Sequence, residues 1–392
     1  MNGGGRIYSN LVRPVLFSLD PERAHRNAIR LGERLSRSSP ARLLLRKFYD
    51  RQFEELKVER LGLRFPNPVG LAGGFDKHGH IYPVIGDIGF GHMEIGSVSL
   101  LPWRGNPSPT LLRLPQDGGL INRLGLNSEG VAVVSERLQN ARFKIPTGIN
   151  LVKTADPGIA GEEAIQDYLQ CFAHCYPLGD FITLNLSCPN TAEGRTFEDS
   201  ALLAPFLSKL KPLRDHLAGG GARKPVFVKL SPDLEDRVLD EILWLAQEHN
   251  IDGCVIANTT GRREHLRTSR KVLDDFGFGG LSGRPLKPYV QEMVKKVWDK
   301  TAGQFLIVAC GGVGCDPHVH PAEEVWEYLK LGATLVQLHT GLIYRGPAIA
   351  SMINQGLSQI LKREKLPSLQ DFLSVRTGQP HIQEPAGHNR RH

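Results

Sequence analysis

No uninterrupted apolar run of eighteen residues occurs in the sequence, so it predicts no membrane-spanning helix. The N-terminus lacks the order of basic, apolar and small residues that marks a secretory signal, and no cleaved or organellar leader is expected. Cysteine is sparse. Cys171, Cys175, Cys188, Cys254, Cys310 and Cys315 form no CxxC pair and no regular framework, which argues for reduced thiols in a cytosolic compartment. Cys171, His174 and Cys175 have a spacing that suits a metal on one helix face. With no partner pair nearby they read as a buried face instead, and no metal is assigned.

Net charge is also nearly absent from most of the chain. Residues 1–60 hold thirteen Lys and Arg against seven Asp and Glu, a surplus of +6 out of a total of +7. A basic head on a nearly neutral body asks for a local explanation, not a nucleic-acid role for the whole protein.

What is present is a chain of 392 residues, 41% hydrophobic and 23% charged, able to bury a large core as two average domains or one α/β barrel with additions. Eight apolar, β-branched runs end in Gly or polar residues: "NPVGLAGG", "HMEIGSVS", "TGINLVK", "FITLNLS", "PVFVKLS", "GCVIANTT", "FLIVACGG" and "TLVQLHTG". Amphipathic segments such as "EEAIQDYLQCFAHCY", "LEDRVLDEILWLAQEHN", "PYVQEMVKKVWDK" and "AEEVWEYLKLGA" fall between many of them. Continuously apolar strands alternating with helices imply a parallel sheet covered by helices. The predicted fold is α/β, a (β/α)₈ TIM barrel over about residues 46–365 with a small N-terminal helical extension over 1–45. A doubly wound open sheet is the structural alternative.

In a barrel, chemistry sits at the C-terminal ends of the strands. The polar residues expected there are Lys77, Ser97, Asn150, Asn185, Lys229, Asn258, Thr259, His339 and Thr340. Burying such a ring is costly unless something satisfies it. The turns "CGGVG" and "HTG" follow the seventh and eighth strands, where backbone N–H groups commonly hold a phosphate. A phosphate-bearing cofactor is the natural tenant. The run "NLSCPN", Asn185 to Asn190, adds two amides, a thiol and a rigid turn, a set that suits a planar polar molecule. A strand ending in a Pro turn would give the same run for structural reasons alone.

Before the barrel, Leu11, Val12, Val15, Leu16 and Leu19 form an apolar stripe around Pro14. "DPER" then starts a second helix, with Asp20 as cap and Pro21 at its first position. Arg23, Arg26, Arg30, Arg34 and Arg37 share one face of it. That face suits either plain solvation or an anionic membrane surface with the apolar side down. The segment from Gly261 to Phe278, with "GGLSG" after it, reads as a long loop over the barrel mouth. The stretch from Arg376 lacks periodicity and is expected to be disordered.

Residues 7–360 resemble the dihydroorotate dehydrogenases, and within them the membrane-associated, quinone-reducing class 2. The motifs that carry the resemblance are "LDPERAH", "GLAGGFDKHG", "EIGSVS", "GNPSPTLLRLP", "INRLGLNS", "GINLVK", "NLSCPNT", "VKLSPD", "ANTT", "GGLSGRPL", "GGV" and "GATLVQLHTGLIYRGP". The "LDPERAH" head separates class 2 from the shorter soluble class 1. The resemblance implies oxidation of dihydroorotate to orotate in pyrimidine biosynthesis with bound FMN. It implies a flavin site of Gly73, Gly74, Phe75, Asp76, Lys77, Ser97, Asn150, Asn185, Lys229, Gly283, Gly312, His339 and Thr340. It implies substrate contacts from Lys77, Asn122, Arg123, Leu124, Gly125, Leu126, Asn185, Asn190, Asn258 and Thr259.

Dihydroorotate must lose a proton from C5 and a hydride from C6. Cys188 is the only ionisable side chain in "NLSCPN" and is assigned as the general base. Class 2 members usually carry serine there, and cysteine is typical of class 1. Two other positions depart from the class: His339 stands where tyrosine is usual beside the flavin phosphate, and Ala257 where threonine is usual. His339 can still donate to a phosphate, with a positive charge possible, whereas Ala257 has no side-chain donor. The arginine-rich head then corresponds to helices that sit on the membrane and form a tunnel for ubiquinone or menaquinone. The resemblance thus places the chain as a peripheral protein on the cytoplasmic face of a bacterial inner membrane, with no obligate protein partner. A class 1-like acceptor (fumarate or NAD⁺) and a non-catalytic flavin-binding barrel are the alternatives.

Overall fold

The computed structural model describes residues 5, 7–187 and 196–377. Cys188 and Asn190, the expected base and one expected substrate contact, lie outside the described residues. Eight parallel strands close into a barrel in sequence order. They are β1 (Val69–Leu71), β2 (His92–Val98), β3 (Thr147–Leu151), β4 (Phe181–Asn185), β5 (Val226–Leu230), β6 (Gly253–Ile256), β7 (Leu306–Cys310) and β8 (Leu335–Leu338). All eight expected apolar runs supply a barrel strand. β8 closes the cylinder on β1, with Val336 opposite Val69. The strands are almost wholly buried, because helices cover the outside and side chains fill the inside. Gly70 shows how tight that filling is: a Cβ there would lie 2.2 Å from Nε2 of His92. The His92 ring is itself fully enclosed, and burial pushes its pKa down to about 3, so it is a neutral packing group.

Cys171 and Cys175 are buried in the helix Gly161–Cys175, with the Cys171 thiol against the carbonyl of Val98. His174 on the same helix is exposed, so only the two cysteines belong to the core face and the trio is not brought together as ligands.

The extension is longer than expected. A wide helical turn at Tyr8–Val12 leads into α1 (Arg13–Ser18), α2 (Pro21–Ser36) and α3 (Ser39–Tyr49). Pro14 lies in the first turn of α1, and the Asp20 carboxylate caps α2 by accepting the N–H of Arg23 at 2.8 Å. Arg23, Arg26, Arg30, Arg34 and Arg37 are all exposed on α2.

Three anchors hold this head to the barrel. The fully buried Asp87 carboxylate accepts Arg42 at 2.6 Å and Arg46 at 2.5 Å, both from α3, with Lys144 at 3.4 Å. Glu22 of α2 accepts the N–H of Thr110 and the hydroxyl of Ser108, each at 2.6 Å. The Tyr8 hydroxyl donates to the carbonyl of Ile343 at 2.7 Å.

Burial alone would raise the Asp87 pKa, but the two guanidinium hydrogen bonds outweigh it and hold the group below its ordinary value. The ion cluster therefore stabilises the fold above the unfolded carboxylate pKa of about 3.9, and this is lost as pH falls through the lower folded value. Asp87→Asn should cost about 2–3 kcal/mol at neutral pH. Denaturant unfolding of both proteins should show the gap closing below about pH 4; a gap unchanged by acid would remove the charge argument.

The loop expected over 261–278 is partly helical, at Arg270–Phe276. Its "GGLSG" continuation is not a loop. Gly280–Gly283 is a strand, antiparallel to Gly119–Asn122, which in turn pairs with Leu111–Leu114. This small sheet roofs the barrel mouth, a role that local sequence does not announce in Gly-rich strands of four residues. The disordered tail was expected from Arg376, but Leu369–Thr377 is a helix and the Arg376 guanidinium stacks 4.3 Å over Trp298. Residues 378–392 lie outside the described residues.

Candidate active site

The C-terminal ends of the barrel strands converge on a chain of amides. Glu94, fully buried inside the barrel, accepts Nδ2 of Asn150 at 2.8 Å, Nε2 of Gln337 at 2.9 Å and the hydroxyl of Thr183 at 3.1 Å. With Nδ2 fixed as donor, Asn150 presents Oδ1 to the Ser97 hydroxyl. Asn185 donates to Ser97 at 3.2 Å and accepts from Asn258 at 3.3 Å. Asn258 also donates to the carbonyl of Ser187, and its Oδ1 accepts the N–H of Thr259 at 2.9 Å. The polar ring is thus pre-oriented by a carboxylate beneath it, which removes much of the cost of burying it.

A continuous cavity of about 1250 Å³ opens above this network and runs out between the head helices. Its wall includes Gly73, Gly74, Phe75, Asp76, Lys77, Ser97, Asn122, Leu124, Leu126, Asn185, Lys229, Asn258, Thr259, Gly312, His339 and Thr340. These sequence-predicted residues come together. Four others do not reach the cavity wall. Asn150 stands one layer behind Ser97. Arg123 uses its guanidinium on the carbonyls of Pro109 and Phe276 and stacks 4.4 Å over the Phe276 ring, so it fastens the roof instead. Gly125 and Gly283 are backbone fits: a Cβ would lie 2.6 Å from Cγ of Asn106 in the first case and 2.3 Å from the Gly118 carbonyl in the second. Asp76 lines the cavity, but its carboxylate is taken up by the N–H groups of His80 at 2.9 Å and Ile81 at 2.8 Å.

Sequence reasoning missed Asn127, Asn106, Ser282 and His25, which also line the cavity. Asn127 holds the Lys77 ammonium at 2.7 Å, and Ser282 bonds Thr340 at 2.9 Å. A signal for Asn127 existed, as the last amide of "INRLGLNS".

Two features test what the mouth can accept. The Lys229 ammonium belongs to a buried residue and has no hydrogen-bond or ion-pair partner among the described residues. In the turn after β7, the N–H groups of Gly312 and Val313 have no acceptor among the described residues, while the flanking Gly311 and Gly314 donate to Gln337 and Glu324. Gly312 sits at φ +76°, and a Cβ there would lie 2.7 Å from Lys287 Cβ, so only glycine fits. Open donors of this kind suit an anionic group on a planar ring, and the set fits a phosphorylated flavin.

His339 lies behind Phe75, with ring centroids 5.2 Å apart. Burial pushes its pKa down to about 3, helped by His25, Lys229 and Lys77, so the ring is neutral and the positive charge considered for it is not favoured. His25 of α2 also packs on Phe75, with ring centroids 5.3 Å apart, and its pKa is lowered to about 4 by burial and by Lys77 and Arg26. Phe75 thus makes T-shaped contacts with both a head histidine and a barrel histidine.

A family model described as dihydroorotate dehydrogenase matches residues 55–361. A protein of Nostoc sp. named dihydroorotate dehydrogenase (quinone) is 36% identical over 386 residues, 94% of this chain and 98% of the relative. One of Roseiflexus castenholzii with the same name is 37% identical over 367 residues, 93% of this chain and 96% of the relative. Among solved structures, DHODH from Eimeria tenella in complex with ferulenol superposes with a TM-score of 0.79 at 31% identity, covering 91% of this chain and 97% of that one. With a family model over residues 55–361 and quinone-type relatives aligned along more than nine-tenths of the sequence, this chain belongs to the dihydroorotate dehydrogenase family, on its quinone-type branch.

Proposed function

We propose that the protein oxidises dihydroorotate to orotate using FMN and passes the electrons to a quinone held by the head helices. The observation that carries this reading is the continuity of the cavity. It joins the amide-lined mouth, with Lys77, Asn185 and Asn258, to apolar head residues such as Leu16, Phe17 and Ile29. A polar planar substrate and an apolar electron acceptor can thus approach one redox centre from two sides.

The chemistry supplied by bound FMN is two-electron transfer, hydride in from C6 and electrons out to quinone. Lys229, Gly73, Ser97, Asn185, His339 and the turns at Gly312 and Thr340 would hold it. Lys77, fixed by Asn127, presents a cation for the substrate carboxylate. Asn122, Asn185 and Asn258, joined by Asn190 in the sequence reading, supply donors and acceptors for the ring amides. The Cys188 thiolate takes the C5 proton.

The alternative acceptors, fumarate and NAD⁺, find no support here, since the relatives are of the quinone type and the cavity opens toward the head. No helix among the described residues is long and apolar enough to cross a membrane. Peripheral attachment is supported by the surface of the head. Ile7, Leu11, Val15, Leu31, Leu43, Leu44 and Phe48 are each more than half exposed, against three large apolar residues in the rest of the described chain. With exposed arginines beside them, this surface suits an anionic bilayer.

The direct test is anaerobic. Purified protein should be yellow with about one FMN per chain, as expected for one cavity of this size. Dihydroorotate should bleach it, and a ubiquinone or menaquinone analogue should restore the colour. Colourless protein that cannot be reconstituted would remove the cofactor, and colour restored by fumarate or NAD⁺ instead would move the acceptor.

A further inference from the structure

The loop after Lys77 carries His78 and His80 two residues apart, and both rings face Glu129 from the segment that follows Asn127. Nδ1 of His78 is 3.6 Å and Nε2 of His80 is 3.9 Å from the same carboxylate oxygen, Oε1 of Glu129. One donor atom from each of the three residues lies within 4.8 Å of the others. For metal–ligand distances near ~2.1 Å, the edge of a tetrahedral site is roughly 3.4 Å. The three atoms therefore need only small side-chain movements to share one ion.

The surroundings are those of a metal site. Nδ1 of His80 faces Glu33 of α2 at 3.9 Å, the carboxylate–histidine–metal arrangement that fixes a ligating imidazole. Arg37 shares that Glu33 oxygen at 2.6 Å. Arg137 pairs with the other Glu129 oxygen at 2.8 Å, leaving Oε1 turned to the histidines. One contact opposes binding. Nε2 of His78 accepts the N–H of Glu129 at 3.3 Å, and ligation through Nδ1 moves the proton to Nε2 and breaks this long bond. The move is a change of tautomer and releases no proton.

We propose that His78, His80 and Glu129 form a binding site for a single Zn²⁺-class cation, with Glu33 orienting His80. Two imidazoles and one carboxylate select a borderline ion over Mg²⁺ or Ca²⁺, which require oxygen shells. Three protein ligands leave a fourth position for water. The ion joins the Lys77 loop to the Asn127 segment, and the Glu33 contact to His80 links this pair to α2, at the cavity wall that all four residues line.

The experiment is a Zn²⁺ titration of the full-length holoprotein against a chromophoric chelator. The expected result is one tight site per chain that Mg²⁺ does not compete for. His80→Asn and Glu129→Gln should each weaken it at least about tenfold, and Glu33→Gln by roughly tenfold through the orienting contact alone. Equal Zn²⁺ affinity in His80→Asn and Glu129→Gln would overturn the site and point to His381, His388 and His392 of the C-terminal segment. Absence of binding would overturn it outright. If a variant fails to fold, Co²⁺ added to the unmutated protein decides. Four-coordinate visible bands without thiolate charge transfer support the assignment, and thiolate bands refute it.

Discussion

Cys188→Ala is expected to slow the bleaching of the bound flavin by dihydroorotate roughly 10²–10⁴-fold, the range for a positioned acid–base group. FMN content and orotate affinity should stay near those of the unmutated protein, since Lys77, Asn127, Asn185 and Asn258 hold their places through bonds that do not involve the thiol. The rate in the unmutated protein should rise with pH along one titration, because the thiolate and not the thiol accepts the proton. An unperturbed thiol titrates near about 8.5, so activation needs little help. Cys188→Ser should keep part of the activity and move the profile upward, as the hydroxyl is the weaker acid. Bleaching at the unmutated rate in Cys188→Ala would leave the thiol as a packing group and return "NLSCPN" to a simple strand end.

The second large effect is expected from the head. Deleting residues 1–49, through the end of α3, should lower turnover with long-tailed quinones on the order of 10²-fold, since the wall that positions the acceptor is gone. Release from anionic vesicles should accompany it. Bleaching by dihydroorotate should fall far less, although not to zero effect. Glu22 holds Thr110, and the Thr110 carbonyl accepts the N–H of Arg123 at 2.8 Å, so the roof strand loses an anchor. Unchanged quinone kinetics and vesicle binding in the truncated protein would refute the tunnel and the membrane role together.

The barrel was legible because its signal is local. Each strand is a continuously apolar run, and each is followed by glycines or polar residues at the mouth end. The Asp20 cap and Pro21 were legible for the same reason. The roof was not. Gly280–Gly283 becomes a strand only because Gly119–Asn122 lies beside it, about 160 residues earlier in the chain. Arg123 looked like a substrate contact, yet Phe276 captures it from 153 residues away. Glu94 drew no attention as a site residue, since a carboxylate within an apolar run shows its role only once Asn150, Gln337 and Thr183 close around it. The expected substrate contacts ended at Leu126, one residue short of Asn127, although the motif runs on to Ser128. The structure makes Asn127 the partner of Lys77.

The Tyr8 anchor has a bearing on biosynthesis. Its acceptor, the carbonyl of Ile343, lies 335 residues downstream, and Arg13 reaches the neighbouring carbonyl of Tyr344. At ribosomal speeds of roughly 5–20 residues per second, the head emerges on the order of 20–70 s before its last docking point exists. Leu11, Val15, Leu43 and Phe48 gain little cover even when docking is complete, since all four stay more than half exposed. The Tyr8 segment is therefore fastened long after α2 and α3, whose partners Thr110 and Asp87 follow them closely in the chain.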